Sequence, residues 1–412
     1  MTNLDDILKQ CPASDAQQRR LFQKEYGLGG LEDLQGAVVF GAASLGAQVA
    51  NALEDRGIHI LGFSDNDCKK WNSTYAGRAV FAPSELSLIG PIIIASKFVK
   101  DIHAGLHDQG VQRLIPHYLL PCLFPDDFTN RFHSLSATTI IASQKIIRDT
   151  FCLLSDHHSE ELFCQLLRFR ITLNPMDLPT PTPGQYFPGD FWALSHQEAF
   201  VDVGACSGDT LIDFLCHTGG MFSKYFALEP DPHNFDELKK AIPAKLNSQI
   251  MALPCAAGGR QQQALFVPNA GGESRIATDG SLNIEIITID ELLASESVST
   301  IKIDVEGYER EVLSGARSTI AAKGPKLAVS VYHRLQDIWE IPMWIRGCNG
   351  GYRFYLRHHT PEIYDTVLYC VPVRDLIQQK GLSQRYFQTS PLPIVQTGAD
   401  CGKLSQYMAA CL

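Results

Sequence analysis

Long apolar runs are missing from this chain. No stretch approaches the roughly 18 consecutive residues of a membrane-spanning helix, so no membrane span is expected. Positive charge is also scarce, with 35 Lys and Arg against 45 Asp and Glu and a formal net charge of −10. Nucleic-acid phosphates call for clustered Lys and Arg, so this balance argues against nucleic acid as a partner. Twelve cysteines are present, but no two stand in a C-x-x-C spacing. Most fall in predicted strands or helices, as Cys164, Cys216 and Cys370 do. That suits reduced, buried thiols in a cytoplasmic protein better than a disulfide framework. The opening Met1-Thr2-Asn3-Leu4-Asp5-Asp6 lacks a basic region followed by an apolar core, so no signal peptide is expected. No internal repeat is evident.

The 412 residues, 45% of them hydrophobic, suit two or three ordinary globular domains. Residues 1–35 read as a polar helical segment, with Leu4, Ile7 and Leu8 at helical spacing. Residues 36–125 read as a small Rossmann-like α/β domain. Its first strand, Ala37–Phe40, turns through Gly41-Ala42-Ala43-Ser44-Leu45-Gly46 into a helix. Asp65 lies 24 residues beyond Gly41, about where a ribose-binding acid sits in a dinucleotide fold. Ala43, however, stands where the second glycine of G-x-G-x-x-G belongs, the one that admits a pyrophosphate. Residues 126–196 read as a helical connector, closing with five prolines between Asn174 and Gly189. Such a stretch is an extended linker or a loop laid over the next domain.

The most informative stretch runs from Ala199 to Asp209. A short buried strand, Ala199–Val203, turns through Gly204 and Gly208 into a helix with Leu211, Phe214 and Leu215 at apolar spacing. A strand, a glycine turn and a helix N-terminus are the parts of a nucleotide-cofactor site, and Asp202 would stand at the strand's carboxyl end. A second strand ends at Glu229-Pro230-Asp231, with Glu229 25 residues beyond Gly204. A carboxylate there can accept both hydrogen bonds of a ribose diol. Further on, Ile301-Lys302-Ile303 is a buried strand followed by Asp304 and Glu306. Residues two apart on a strand share a face, so both carboxylates would face one cleft if the strand continues. Ala264–Val267 and Ile284–Ile289 suggest a hairpin beside the main sheet, with a polar loop, 269–283, between them. Tyr352–Leu356 and Val367–Val371 suggest an antiparallel pair closing the sheet. This domain spans 197–375, and 376–412 reads as a tail.

Taken together, Val201-Asp202-Val203-Gly204-Ala205 with Gly208, Leu228-Glu229-Pro230-Asp231, Ile289-Asp290-Glu291-Leu292 and above all Ile301–Glu309 give a chain that resembles the FkbM family of S-adenosylmethionine-dependent methyltransferases. The resemblance covers about 197–372. It implies a class I methyltransferase Rossmann-like sheet, mostly parallel, and methyl transfer from S-adenosyl-L-methionine to an oxygen nucleophile. It also implies a cofactor site of Asp202, Gly204, Ala205, Gly208, Glu229, Pro230 and Asp231. One departure stands out. Many family members carry a Glu-x-His-like element after the next strand, whereas here Ser330-Val331-Tyr332-His333 keeps only the histidine.

The catalytic residues expected on this reading are His333, Asp304 and Glu306. A histidine titrating near neutrality suits a general base. Asp304 and Glu306 would orient the acceptor hydroxyl, hold a divalent cation together with His333, or cap the following helix. The resemblance points to a sugar or polysaccharide hydroxyl as acceptor, with a polyketide-like small molecule as the alternative. No Asn/Asp-Pro-Pro-Tyr motif occurs, which argues against methylation of nucleobase amino groups. Two readings from other classes are a nicotinamide-dependent oxidoreductase or epimerase using residues 36–125, and a non-catalytic scaffold that binds a nucleotide-sugar there.

Overall fold

The run Ala37-Val38-Val39-Phe40 has no polar alternation, and the strand it forms, β1 (Ala37–Phe40), is buried at every position, as a strand covered on both faces must be. In the computed structural model, which describes residues 3–88, 90–128, 134–268 and 274–376, β1 sits inside a six-stranded sheet. The other strands are β2 (Ile60–Ser64), β3 (Thr74–Tyr75), β4 (Arg78–Phe81), β5 (Ile92–Ile94) and β6 (Leu114–Pro116). Their order is β3-β4-β2-β1-β5-β6. Every pairing is parallel except that of the short β3 with β4.

This sheet belongs to a unit made of Met1–Phe151, His157–Pro181 and His358–Tyr364. The helices Ala137–Ala142, Gln144–Phe151 and His157–Thr172 belong to it as well. The stretch 126–196, expected as a connector, therefore divides between two units. At the turn after β1, Gly41 has φ +119 and a Cβ there would lie 2.4 Å from the Ala95 carbonyl oxygen. Asp65, expected to face a ribose, is engaged inside its own loop. Its carboxylate accepts from the Ala42 N–H at 3.0 Å and pairs with Lys70 at 2.8 Å. Lys70 also donates to the Ala42 carbonyl at 3.1 Å.

The second unit comprises Cys152–Asp156, Thr182–Arg357 and the described residues from Asp365 onward. In chain order its strands are β7 (Ala199–Val203), β8 (Lys224–Leu228), β9 (Ile250–Leu253), β10 (Ala256–Ala257), β11 (Gln262–Val267), β12 (Arg275–Ile276), β13 (Leu282–Ile287), β14 (Thr300–Ile303), β15 (Lys326–Ser330), β16 (Tyr352–His358) and β17 (Thr366–Pro372). Seven of them form the main sheet in the order β16-β17-β15-β14-β7-β8-β9. β7, β8, β9, β14 and β15 run parallel, and β17 returns antiparallel to β15. The expected hairpin is the β11–β13 pair of a separate four-stranded sheet, β10-β13-β11-β12. Of the polar loop between them, residues 269–273 lie outside the described residues, and so does the tail from 377. Among the described residues no helix is long and apolar enough to cross a membrane.

Strand order reverses at β7. The chain proceeds from β7 to β8 and β9 on one side, then returns to β14 and β15 on the other. A crevice opens at the carboxyl ends of the strands at such a switch point, where open α/β sheets bind ligands. Beneath it, Phe200 of β7, Phe214 of the helix Asp209–Thr218 and Tyr225 of β8 pack with ring centroids 5.0–5.1 Å apart. All three are fully buried, so this aromatic trio ties the helix that follows the glycine turn to the two strands flanking it. Truncating Phe214→Ala is expected to destabilise this unit by about 3–5 kcal/mol, read as a lowered midpoint in urea denaturation.

Candidate active site

β7 ends at Val203, and the next residue must be glycine. Gly204 has φ +81, and a Cβ there would lie 1.9 Å from the carbonyl oxygen of Asp304. The turns after β7 and β14 thus touch backbone to backbone at the centre of the crevice. Gly208, φ +92, is the N-cap of the helix Asp209–Thr218. β8 delivers Glu229, whose two oxygens accept from the Cys206 N–H at 2.8 Å and the Asp231 N–H at 2.9 Å. Burial pushes the Glu229 carboxyl up to about 7. Asp231 caps the helix Pro232–Ala241, accepting from the His233 and Asn234 N–H groups, and also accepts from the Ser274 hydroxyl at 2.9 Å.

A cavity of about 340 Å³ occupies the crevice, within the usual size range of small-ligand sites. Of the residues singled out from the sequence, Gly204, Glu229, Pro230, Asp304 and Glu306 line it. Asp202, Ala205, Gly208, Asp231 and His333 stand behind that wall. The structure adds lining residues that the sequence reading missed, among them Tyr186, Lys302, Tyr332 and Asp365. Lys302 was legible within its motif. Tyr186 comes from the proline-rich stretch and Asp365 from the turn before β17, neither of which carries a local signal for chemistry.

Asp202 requires a correction. It is fully buried and accepts from the Tyr225 hydroxyl at 2.6 Å while pairing with Lys302 at 2.9 Å. Lys302, 3% exposed, also donates to the Gly204 carbonyl at 2.6 Å and lies 5.1 Å from the Tyr186 ring centroid. Burial works against its charge, but the Asp202 and Asp304 carboxylates overcome this and hold the ammonium above its ordinary range. Instead of reaching a ligand, Asp202 steadies the lysine that faces the cavity.

The shared-face argument for Asp304 and Glu306 also fails in detail. β14 stops at Ile303, and Glu306 has left-handed φ, +57. Both side chains reach the cavity from a loop, not from one pleated face. Neither caps the next helix. Instead Glu309 organises that loop, accepting from the Val305 N–H at 3.1 Å and the Gly307 N–H at 3.3 Å. Its carboxylate also faces His333 Nδ1 at 2.8 Å, while His333 Nε2 faces Glu306 at 3.5 Å and Asp304 at 3.8 Å. Burial alone would lower the imidazole pKa. Glu309, Glu306 and Asp304 reverse this and hold it well above the ordinary value. The surrounding carboxylates favour the imidazolium form of His333, which has no free lone pair for a proton.

Asp304 is held tightly. It accepts from the Tyr186 hydroxyl at 2.7 Å and the Tyr332 hydroxyl at 3.4 Å. Burial alone would raise its carboxyl, but the His333 and Lys302 cations keep it below the usual range. Asp304, Glu309 and His333 offer ligand atoms within 4.8 Å of one another, an oxygen and imidazole set of the kind that takes a divalent cation. A cation bound there would take the place of the His333 proton, because a ligating imidazole must be neutral. Backbone strain concentrates here too. Of seven described non-glycine residues with positive φ, four (Tyr186, Cys206, Glu306 and Asp365) line the cavity, and such strain clusters at functional sites.

Both parts of the chain resemble known proteins. Residues 202–354 match the methyltransferase FkbM domain, and residues 34–114 match the N-terminal domain described as C2185-like. Hexuronic acid methyltransferase AglP of Haloferax volcanii is 33% identical over 125 residues, covering 29% of this chain. The match spans half the length of that relative. Methyltransferase FkbM from Methylobacillus flagellatus KT superposes with a TM-score of 0.70 at 22% identity, over 89% of this chain and 98% of that one. The class I, Rossmann-like methyltransferase fold expected from the sequence is thereby shown.

Two outcomes follow from the buried charges. Lys302→Met leaves Asp202 buried without its counter-charge, so it is expected to cost about 3–5 kcal/mol in chemical denaturation. Because folded His333 titrates above its unfolded value of about 6.5, its stabilisation is complete below that pH and fades as the pH rises through the folded value. The stability gap between wild type and His333→Gln is therefore expected to be larger at about pH 6 than at about pH 10.

Proposed function

On the premise that residues 202–354 belong to the methyltransferase FkbM domain family, we propose that this chain is an S-adenosylmethionine-dependent methyltransferase acting on a hydroxyl group of a sugar or polysaccharide. The observation that carries the reading is Glu229. It lines the cavity at the end of β8, and each of its oxygens spends one lone pair on a backbone N–H. A carboxylate has about four acceptor positions, so two stay available for the hydroxyls of a ribose. A saccharide acceptor is favoured by the likeness to a protein named as a hexuronic acid methyltransferase.

In this mechanism Glu229, Pro230 and the Gly204 turn hold the nucleoside part of S-adenosylmethionine, with Ala205, Gly208 and Asp231 shaping that wall from behind. When bound, S-adenosylmethionine supplies the electrophilic methyl group. Asp304 and Glu306 orient the acceptor hydroxyl, and the His333 imidazolium fixes both carboxylates in place. Positioning of this kind accounts for much of the rate of a group transfer. The buried Lys302 keeps the turns after β7 and β14 in register, so the wall for the cofactor and the wall for the acceptor are set against each other.

Calorimetric titration of S-adenosylhomocysteine tests the reading. Saturable binding to the wild-type chain is expected, weakened in Glu229→Ala by about tenfold or more, equivalent to at least about 1.4 kcal/mol. A folded wild type that takes up none of it overturns the proposal.

A further inference from the structure

The mechanism so far has no group to receive the acceptor's proton. His333 stands behind the cavity wall with both ring nitrogens facing carboxylates, Nδ1 towards Glu309 at 2.8 Å and Nε2 towards Glu306 at 3.5 Å and Asp304 at 3.8 Å. Asp304 is pinned by the Tyr186 and Tyr332 hydroxyls and by two neighbouring cations, so it is a weak base. Glu306 faces the imidazolium at 3.5 Å. Glu229 is engaged by two backbone N–H groups where the ribose would lie.

Two further carboxylates line the same cavity, Asp209 and Asp365. Asp209 opens the helix after the glycine turn, on the side given to the cofactor, and its carboxylate accepts from the backbone N–H groups of that first turn, which leaves Asp365 for the acceptor. Asp365 stands in the turn immediately before β17, in left-handed conformation with φ +55, which aspartate tolerates better than most side chains. The next residue is tied into the sheet by the Val331 N–H donating to the Thr366 carbonyl at 2.9 Å, so the turn is anchored where the carboxylate leaves it. Gln185, from the loop that also carries Tyr186, hydrogen-bonds the Asp365 side chain.

We propose that Asp365 is the catalytic base of this site, taking the proton of the acceptor hydroxyl, and that its negative charge favours the sulfonium donor over the neutral product. This rests on the methyltransferase reading above. The acceptor oxygen bonds to the methyl carbon as the carbon–sulfur bond breaks, and that bond's electron pair stays on sulfur, which becomes a neutral thioether. The hydroxyl proton passes to the Asp365 carboxylate and from there to solvent. The charged groups acting on Asp365 are Asp304 and Glu306 from the loop after β14, and His333 beyond β15. Burial, with the Asp304 charge, pushes its carboxyl up to about 6. It is thus ionised at neutral pH yet basic enough to accept a proton.

The test compares the affinities of S-adenosylmethionine and S-adenosylhomocysteine by calorimetry, in wild type and Asp365→Asn, at about pH 5 and about pH 8. Glu229 and Asp209 also line the cavity with carboxyls raised by burial, but both are unchanged in the variant, so the difference between wild type and variant isolates Asp365. In wild type the preference for the sulfonium is expected to grow roughly tenfold from the lower to the higher pH. In Asp365→Asn most of that growth is expected to be lost. This readout needs no acceptor. Transfer of labelled methyl to p-nitrophenyl β-D-glucuronide supplies a second one. Its rate should rise through about pH 6 in wild type, drop about 100-fold or more in Asp365→Asn, and recover in part in Asp365→Glu. A variant that keeps the wild-type ratio and its pH dependence overturns the assignment. A folded wild type that binds neither nucleoside instead overturns the methyltransferase reading beneath it.

Discussion

A single buried ammonium, that of Lys302, holds the centre of this unit together. It pairs with Asp202 on the neighbouring strand, donates to the carbonyl of Gly204 in the glycine turn, and lies against the Tyr186 ring from the proline-rich loop. Two other chain segments, residues 202–204 and the loop that carries Tyr186, meet on this one charge. A buried ion pair is an expensive way to gain stability. What it supplies here is position: the turn after β7 cannot move relative to β14 without stranding a charge in the core. The contact between the site of Gly204 and the Asp304 carbonyl makes the same demand sterically. Charge and close packing therefore set one geometry twice.

From that fixed point the cavity divides by its electrostatics. On the β8 side, Glu229 is raised towards neutrality by burial and tied to the backbone of two loops. On the β14 and β15 side, Asp304, Glu306 and Glu309 surround His333. Those carboxylates hold the imidazole well above its ordinary value, and the positive charge on it, with Lys302, keeps the Asp304 carboxyl below the usual range. The acid missing at Val331 does not leave the histidine without a carboxylate, since Glu309 faces it from the loop after β14.

The glycine turn, the acid after β8 and the Lys-Ile-Asp-Val-Glu-Gly run were legible because each is a local pattern, a strand followed by a few residues with tight backbone or charge requirements. Reading Asp304 and Glu306 as one pleated face went wrong because strand geometry ends a residue before Asp304, a boundary that apolar runs do not mark. Asp202 looked like a ligand residue because its strand-end position is visible in the sequence, while the lysine and tyrosine that engage it lie about 100 and 23 residues away. Asp65 of the first unit is similar: its spacing suggested a ribose, whereas Lys70 and the Ala42 N–H occupy its carboxylate.

The sequence by itself determined the two α/β units, the mostly parallel sheet of the second, its glycine turn and the acids at the ends of its strands. Those features depend on hydrophobic period and on backbone freedom over a few residues, which the order of amino acids states directly. Only the tertiary structure decided which acids face the cavity, which one carries a steadying role behind it, and which carboxylates surround His333. Those properties depend on burial and on charges brought within a few ångströms by residues far apart along the chain, and no local pattern encodes a distance of that kind.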